Sequence, residues 1–177
     1  MLRAPELLLP AGSLAKMHAA FDFGADAVYA GQPRYSLRVR NNEFSRPEAL
    51  ALGIEQAHAR GKLFFVASNI FAHNSKLKTY LRDMEPVIAM KPDALIMADP
   101  GLIMMVREKW PEVNIHLSVQ ANTTNLMGVK FWQKIGLTRV ILSRELSIDE
   151  IAEIRQECPD MELEVFVHGA LCIAYSG

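Results

Sequence analysis

Residues 94–119 read ALIMADPGLIMMVREKWPEVNIHLSV, and this stretch decides the fold class. Ala94–Met97 is a short apolar run of strand length. Asp99 followed by Pro100 reads as a helix N-cap and a first-turn proline. Leu102, Met105 and Val106 then recur at helical spacing, and a second apolar run, Ile115–Val119, follows. Strand, helix, strand within some thirty residues is the pattern of a βαβ unit.

The same pattern repeats in both directions. Apolar, β-prone runs occur at Glu6–Leu9, Ala27–Ala30, Leu63–Ala67, Val140–Leu142 and Leu163–Val167, with amphipathic stretches such as Leu14, Met17, Phe21 between them. The runs are continuous rather than alternating, as expected of parallel strands covered on both faces. Ser45 with Glu48, and Ser147 with Glu150, read as capping boxes. Gly24, Gly61 and Gly136 sit where helices should end. The expectation is an α/β chain with about seven parallel strands and intervening helices, forming one domain over residues 1–177. An incomplete (β/α)8 TIM-like barrel and an open doubly wound sheet both satisfy it. No G-x-G-x-x-G follows the first run, which leaves PAGS as a poor dinucleotide loop. Seven runs instead of eight suggest a barrel cut short. The unpaired edges this implies predict dimerisation or aggregation.

Composition narrows the functional classes. Half of the 177 residues are hydrophobic and 22% are charged, which is ordinary globular usage. No apolar run reaches the length of a membrane span, and Glu6 interrupts any secretory pattern at the start, so a cytoplasmic protein is expected. With a net charge of −1 there is no basic excess to hold nucleic acid by charge alone. Two cysteines, Cys158 and Cys172, make no disulfide framework. Cys158, ahead of Pro159, reads as structural, and the Leu102–Val106 methionines read as core.

In a parallel barrel the chemistry collects at the carboxyl ends of the strands. Those ends carry Gln32, Ser68 and Asn69, Asp99, Gln120 to Asn122, Arg144 and Glu145, and His168. Each also has an ordinary use as a cap, turn or surface pair. The loop 31–44 holds Arg34, Tyr35, Arg38 and Arg40, which would grip phosphates while Tyr35 stacks on a base. As a plain alternative it is a solvated loop. His168 lies four residues before Cys172, a spacing compatible with a shared metal, although two ligands do not make a zinc site. No G-x-S-x-G or H-E-x-x-H occurs.

Residues 164–177, EVFVHGALCIAYSG, carry Glu164, Phe166, Gly169, Ala170, Leu171, Cys172 and Gly177 in the pattern of the peptidase U32 signature. ELLLPAGS, GADAVYAGQPRYSLRVRNNEF, ALIMADPGLIMMVRE, HLSVQANTTN and RVILSRELS also resemble that family, in a branch whose members hydroxylate tRNA. The resemblance covers the whole chain, although family proteins are longer. It implies hydroxylation of a wobble uridine at carbon 5 of tRNA, dependent on prephenate, by a protein with a [4Fe–4S] cluster. Cys172 would be the first of four cluster ligands, with the others beyond residue 177. It further implies that Glu164, His168, Arg144 and Glu145 form the catalytic set, with Arg144 clamping a prephenate carboxylate and Glu164 and His168 tuning the site. Asn69, Gln120 and Asn122 would bind the base or small ligand. A fragment of this length would be inactive. The rival expectations are a collagenase-like peptidase and an RNA- or partner-binding barrel without catalysis.

Overall fold

The computed structural model describes residues 4–37 and 42–169. Seven strands, β1 (Leu8–Pro10), β2 (Ala27–Gly31), β3 (Leu63–Ser68), β4 (Ala94–Met97), β5 (Ile115–Leu117), β6 (Arg139–Ile141) and β7 (Glu162–Glu164), lie in sequence order in one sheet. Every neighbouring pair is parallel. The crossovers are made by α1 (Leu14–Asp22), α2 (Pro47–Ala59), α3 (Asn74–Ala89), α4 (Pro100–Lys109), α5 (Leu126–Lys134) and α6 (Ile148–Glu157). The sheet curls enough for Glu6, just ahead of β1, to reach Arg139 on β6. This is an incomplete α/β barrel of the TIM type, and the doubly wound alternative is excluded because the strand order never reverses.

Strand parity explains the unbroken apolar runs. Val28, Phe64, Val66, Leu95, Met97, Ile115, Leu117 and Val140 face the helices, and join Met17, Leu50, Ile54, Tyr80, Met84, Leu102 and Val106 in the larger core. Ala27, Phe65, Ala67, Ala94, Ile96 and Ile141 fall on the other parity and form a smaller cluster inside the curl. Both faces are therefore apolar. Each large side chain fully buried here stabilises the fold by roughly 1.5–3 kcal/mol.

Local signals place most helix starts. The Asp99 carboxylate accepts from Leu102 N at 3.0 Å, and Asn125 accepts from Gly128 N at 2.9 Å. Ser147 and Glu150 form the expected capping box on α6. Gly24, Gly61 and Gly136 hold the expected positive φ. The Ser45–Glu48 box does not form: Arg46 is the N-cap of α2 and Ser45 ends a short 3-10 turn, Glu43–Ser45. Pro47 is the cause, since it occupies N1 and keeps Arg46 extended at ψ 129°, one residue past the serine.

Three strands are shorter than the apolar runs that announce them, β1 by one residue and β5 and β7 by two. β5 stops at Leu117 because Ser118 accepts from Gln120 N and turns the chain into the 3-10 segment Val119–Ala121. β7 stops at Glu164, opposite Ile141, where β6 itself ends.

Candidate active-site mouth

The first part of the loop after β2, residues 32–37, is docked rather than free. The Gln32 side-chain oxygen accepts from Arg34 N and Tyr35 N at 2.7 and 2.8 Å, a compact turn that drives Tyr35 inward. The Tyr35 ring is 0% exposed and meets Tyr80 edge-on at 4.8 Å. Its hydroxyl donates to Asp83 Oδ2 at 2.7 Å and lies 2.9 Å from Thr79 Oγ1, and burial raises its pKa. Tyr35 therefore has no open face for a base. Arg34 pairs with the same Asp83 at 2.6 Å. Arg38, Arg40 and Cys172 lie outside the described residues.

The remaining strand-end residues form an arc. Asn69, after β3, accepts from Leu37 N at 3.2 Å and sends its amide toward Ser118 Oγ at 3.5 Å. Ser118 in turn accepts from Gln120 N at 3.3 Å. Asn122 is exposed and left-handed at φ 57°. The next residue, Thr123, accepts through its carbonyl from Ser143 N at 3.3 Å, which joins the β5 loop to the end of β6. Thr123 is 4% exposed, and its hydroxyl has no hydrogen-bond partner among the described residues. Arg144 follows, with its guanidinium carbon 4.3 Å from the centre of the Phe166 ring. Glu145 and His168 are exposed beyond this arc. The arc offers amides, hydroxyls and one guanidinium, which suits a base edge together with an anion.

Glu164 does not belong to the arc. It faces inward below it, in a cluster of carboxylates around the largely buried Arg139. The Arg139 guanidinium donates to both Glu6 oxygens at 2.7 and 3.2 Å and to Glu162 at 2.8 Å. Glu164 Oε2 stands 3.6 Å from Arg139 Nη1, which is charge proximity without a hydrogen bond, and that oxygen is buried with no hydrogen-bond partner. Burial, only partly offset by Arg139, raises the Glu164 pKa to about 7. Beside Arg139 in register lies His116, 5% exposed, its ring edge-on to Phe65 at 4.6 Å. Burial first, and the Arg139 charge second, lower its pKa to about 3, so it is neutral at physiological pH.

The sequence reading passed over Arg139, Glu6, His116, Ser118 and Thr123. The signal for the cluster was parity: Arg139 and Ile141, like Glu162 and Glu164, alternate onto the inner face. Cys158 is 1% exposed at the C-cap of α6, enclosed in the outer core. A cubane cluster takes four thiolates, and 177 residues with two cysteines, one so placed, do not supply them. Among the described residues no group of three or more His, Cys, Asp or Glu is arranged to hold a metal ion, and no helix is long and apolar enough to cross a membrane.

The family model described as peptidase family U32 matches residues 12–177. The chain is 71% identical over 173 residues to "tRNA hydroxylation protein P" of Haemophilus influenzae, covering 98% of this chain and 37% of that protein. It is 70% identical to the Escherichia coli protein of the same name, over 98% of this chain and 38% of that one. The chain thus spans well under half the length of these curated relatives. A solved U32 peptidase, Mk0906, superposes with a TM-score of 0.73 at 14% identity, over 93% of this chain and 70% of that one, and so shares the fold.

Proposed function

The chain belongs to peptidase family U32, and on that premise we propose that it is the barrel portion of an RNA-modifying hydroxylase that places a hydroxyl group on carbon 5 of the wobble uridine of tRNA. The observation that carries this reading is the 71% identity, over nearly the whole chain, to a protein named for tRNA hydroxylation. The mouth is in keeping with it. Asn69, Gln120 and Asn122 present amides suited to the edge of a splayed base. Arg144 presents a guanidinium suited to a carboxylate, and the reading assigns it to prephenate as co-substrate. Cys172 is proposed as one thiolate ligand of an iron–sulfur cluster whose remaining ligands lie outside these residues.

The test is mass spectrometry of tRNA nucleosides from cells that lack the full-length gene, complemented with wild type or with Cys172→Ala. Return of wobble 5-hydroxyuridine derivatives with wild type alone supports the reading and the role of Cys172. Nucleosides unchanged by the deletion would remove it and bring forward the rival peptidase reading, in keeping with the family's description as a peptidase.

A further inference from the structure

Arg144 and Phe166 come from different strand ends, and their contact is the tightest of the described cation–aromatic pairs. The guanidinium carbon is 4.3 Å from the ring centre, against 5.4 Å for Arg139 over Phe65 and 5.8 Å for Arg34 over Tyr35. Those other two arginines are also held by carboxylates, Arg139 by Glu6 and Glu162 and Arg34 by Asp83. Arg144 makes no ion pair among the described residues, so its charge is left for something else. Phe166 is 41% exposed, two residues beyond the end of β7. The ring belongs to neither apolar cluster of the barrel, so core packing does not explain its place.

We infer that Phe166 is a positioning residue: its ring is the plate that sets the plane of the Arg144 guanidinium, so that the N–H edge faces the mouth for a two-point contact with a carboxylate. The physical reasoning is direct. A guanidinium donates its hydrogen bonds in its own plane, so a ring against one face leaves the donors free. The ring attracts the cation and restricts the rotors of a long side chain before the ligand arrives. A two-pronged contact needs that plane fixed, whereas a point charge does not. The inference rests on the reading of Arg144 as the co-substrate clamp and extends it to the residue that orients it.

The experiment uses the purified full-length protein, with prephenate as the probe. Prephenate affinity is measured by calorimetry without turnover, and tRNA hydroxylation rate is measured against prephenate concentration. The proteins are wild type, Phe166→Leu, Phe166→Trp, Arg144→Lys and the double variant Arg144→Lys/Phe166→Leu, with melting temperatures matched. Phe166→Leu is expected to weaken prephenate about tenfold in both Kd and KM while kcat changes by less than about twofold. Phe166→Trp should return it to near wild type, since the indole offers a larger plate. The double variant should bind no more weakly than Arg144→Lys alone, because the plate has nothing left to orient. A Phe166→Leu curve superimposed on wild type, equal losses with Leu and Trp, or additive losses in the double variant would each overturn the assignment. Wild-type protein that binds no prephenate and hydroxylates tRNA without it removes the clamp reading and this one together.

Discussion

One guanidinium shared among three carboxylates leaves one acid without a hydrogen bond, and in this barrel it is Glu164. The consequence is a pH dependence with two opposed parts. Glu164 titrates near 4.5 when unfolded and about 7 when folded, so between these values the folded state holds the extra proton and stability falls as pH rises. His116 titrates near 6.5 unfolded and about 3 folded, so below 6.5 the unfolded state holds the extra proton and stability falls as pH drops. Across the shared window the two parts nearly cancel. Glu164→Gln should therefore unmask stability that rises between roughly pH 4.5 and 6.5, by up to about 3 kcal/mol, and His116→Gln should unmask a fall of similar size. Urea midpoints of both variants at pH 4.5, 5.5 and 6.5 check this. Parallel profiles in the two variants would refute the assignment. The signature pointed to Glu164 and the strand ends to Arg144 and Asn69; the barrel sets Glu164 below the arc beside Arg139 and the other two along it. Tyr35 was misread because a tyrosine among arginines reveals nothing of the Gln32 turn that folds it under α3.

At the scale of elements, the contrast between two serines shows what spacing can and cannot decide. Ser147 and Glu150 form their box because nothing competes for the cap, while Pro47 moves the start of α2 past Ser45. Where a proline fixes N1 behind an acid, as at Asp99–Pro100, the cap forms and does more than the pattern announces. One Asp99 oxygen caps α4, and the other accepts from Ala72 N at 2.8 Å, which ties down the loop between β3 and α3. That second contact, across 27 residues, is tertiary and has no counterpart in a cap motif. Asp99→Ala is expected to cost about 2 kcal/mol, the upper end for a lost cap, since it frees two backbone amides. Asp99→Asn keeps one carbonyl acceptor but sets an NH2 donor against the other backbone amide, so it should recover less than half of it. Chemical unfolding of both variants checks this, and a loss below about 0.5 kcal/mol in the alanine variant would contradict it.

For the whole molecule, strand count and parallel pairing were readable from repeated apolar runs and their helical spacers, because a parallel sheet buried on both faces writes itself as uninterrupted hydrophobic sequence. The barrel itself was expected, but the contacts that hold its curl were not readable, because they join residues far apart in the chain. Arg139, 10% exposed at its side chain, grips Glu6 and Glu162 together and so joins the two flanks of the sheet. Arg139→Ala removes the partner of the half-buried Glu6 and lets Glu164 take up a proton, while Glu162 stays in water, so it should lower stability by about 1–3 kcal/mol, measured by urea unfolding at pH 7. A change under about 1 kcal/mol would mean that water reaches the cluster and that the clasp is weak.

That clasp also sets an order of events in time. Glu6 and Arg139 are separated by 133 positions, and closing such a loop in an unstructured chain costs about 4 kcal/mol in entropy alone. Each intervening βαβ crossover shortens the effective loop, so the contact becomes favourable only after β2 to β5 have paired. During synthesis, β1 must therefore wait, paired on one side and with Glu6 still in water, until β6 has left the ribosome. The first of these seven strands to be made is among the last to be locked, and a pause in translation before Arg139 leaves the barrel open for as long as the pause lasts.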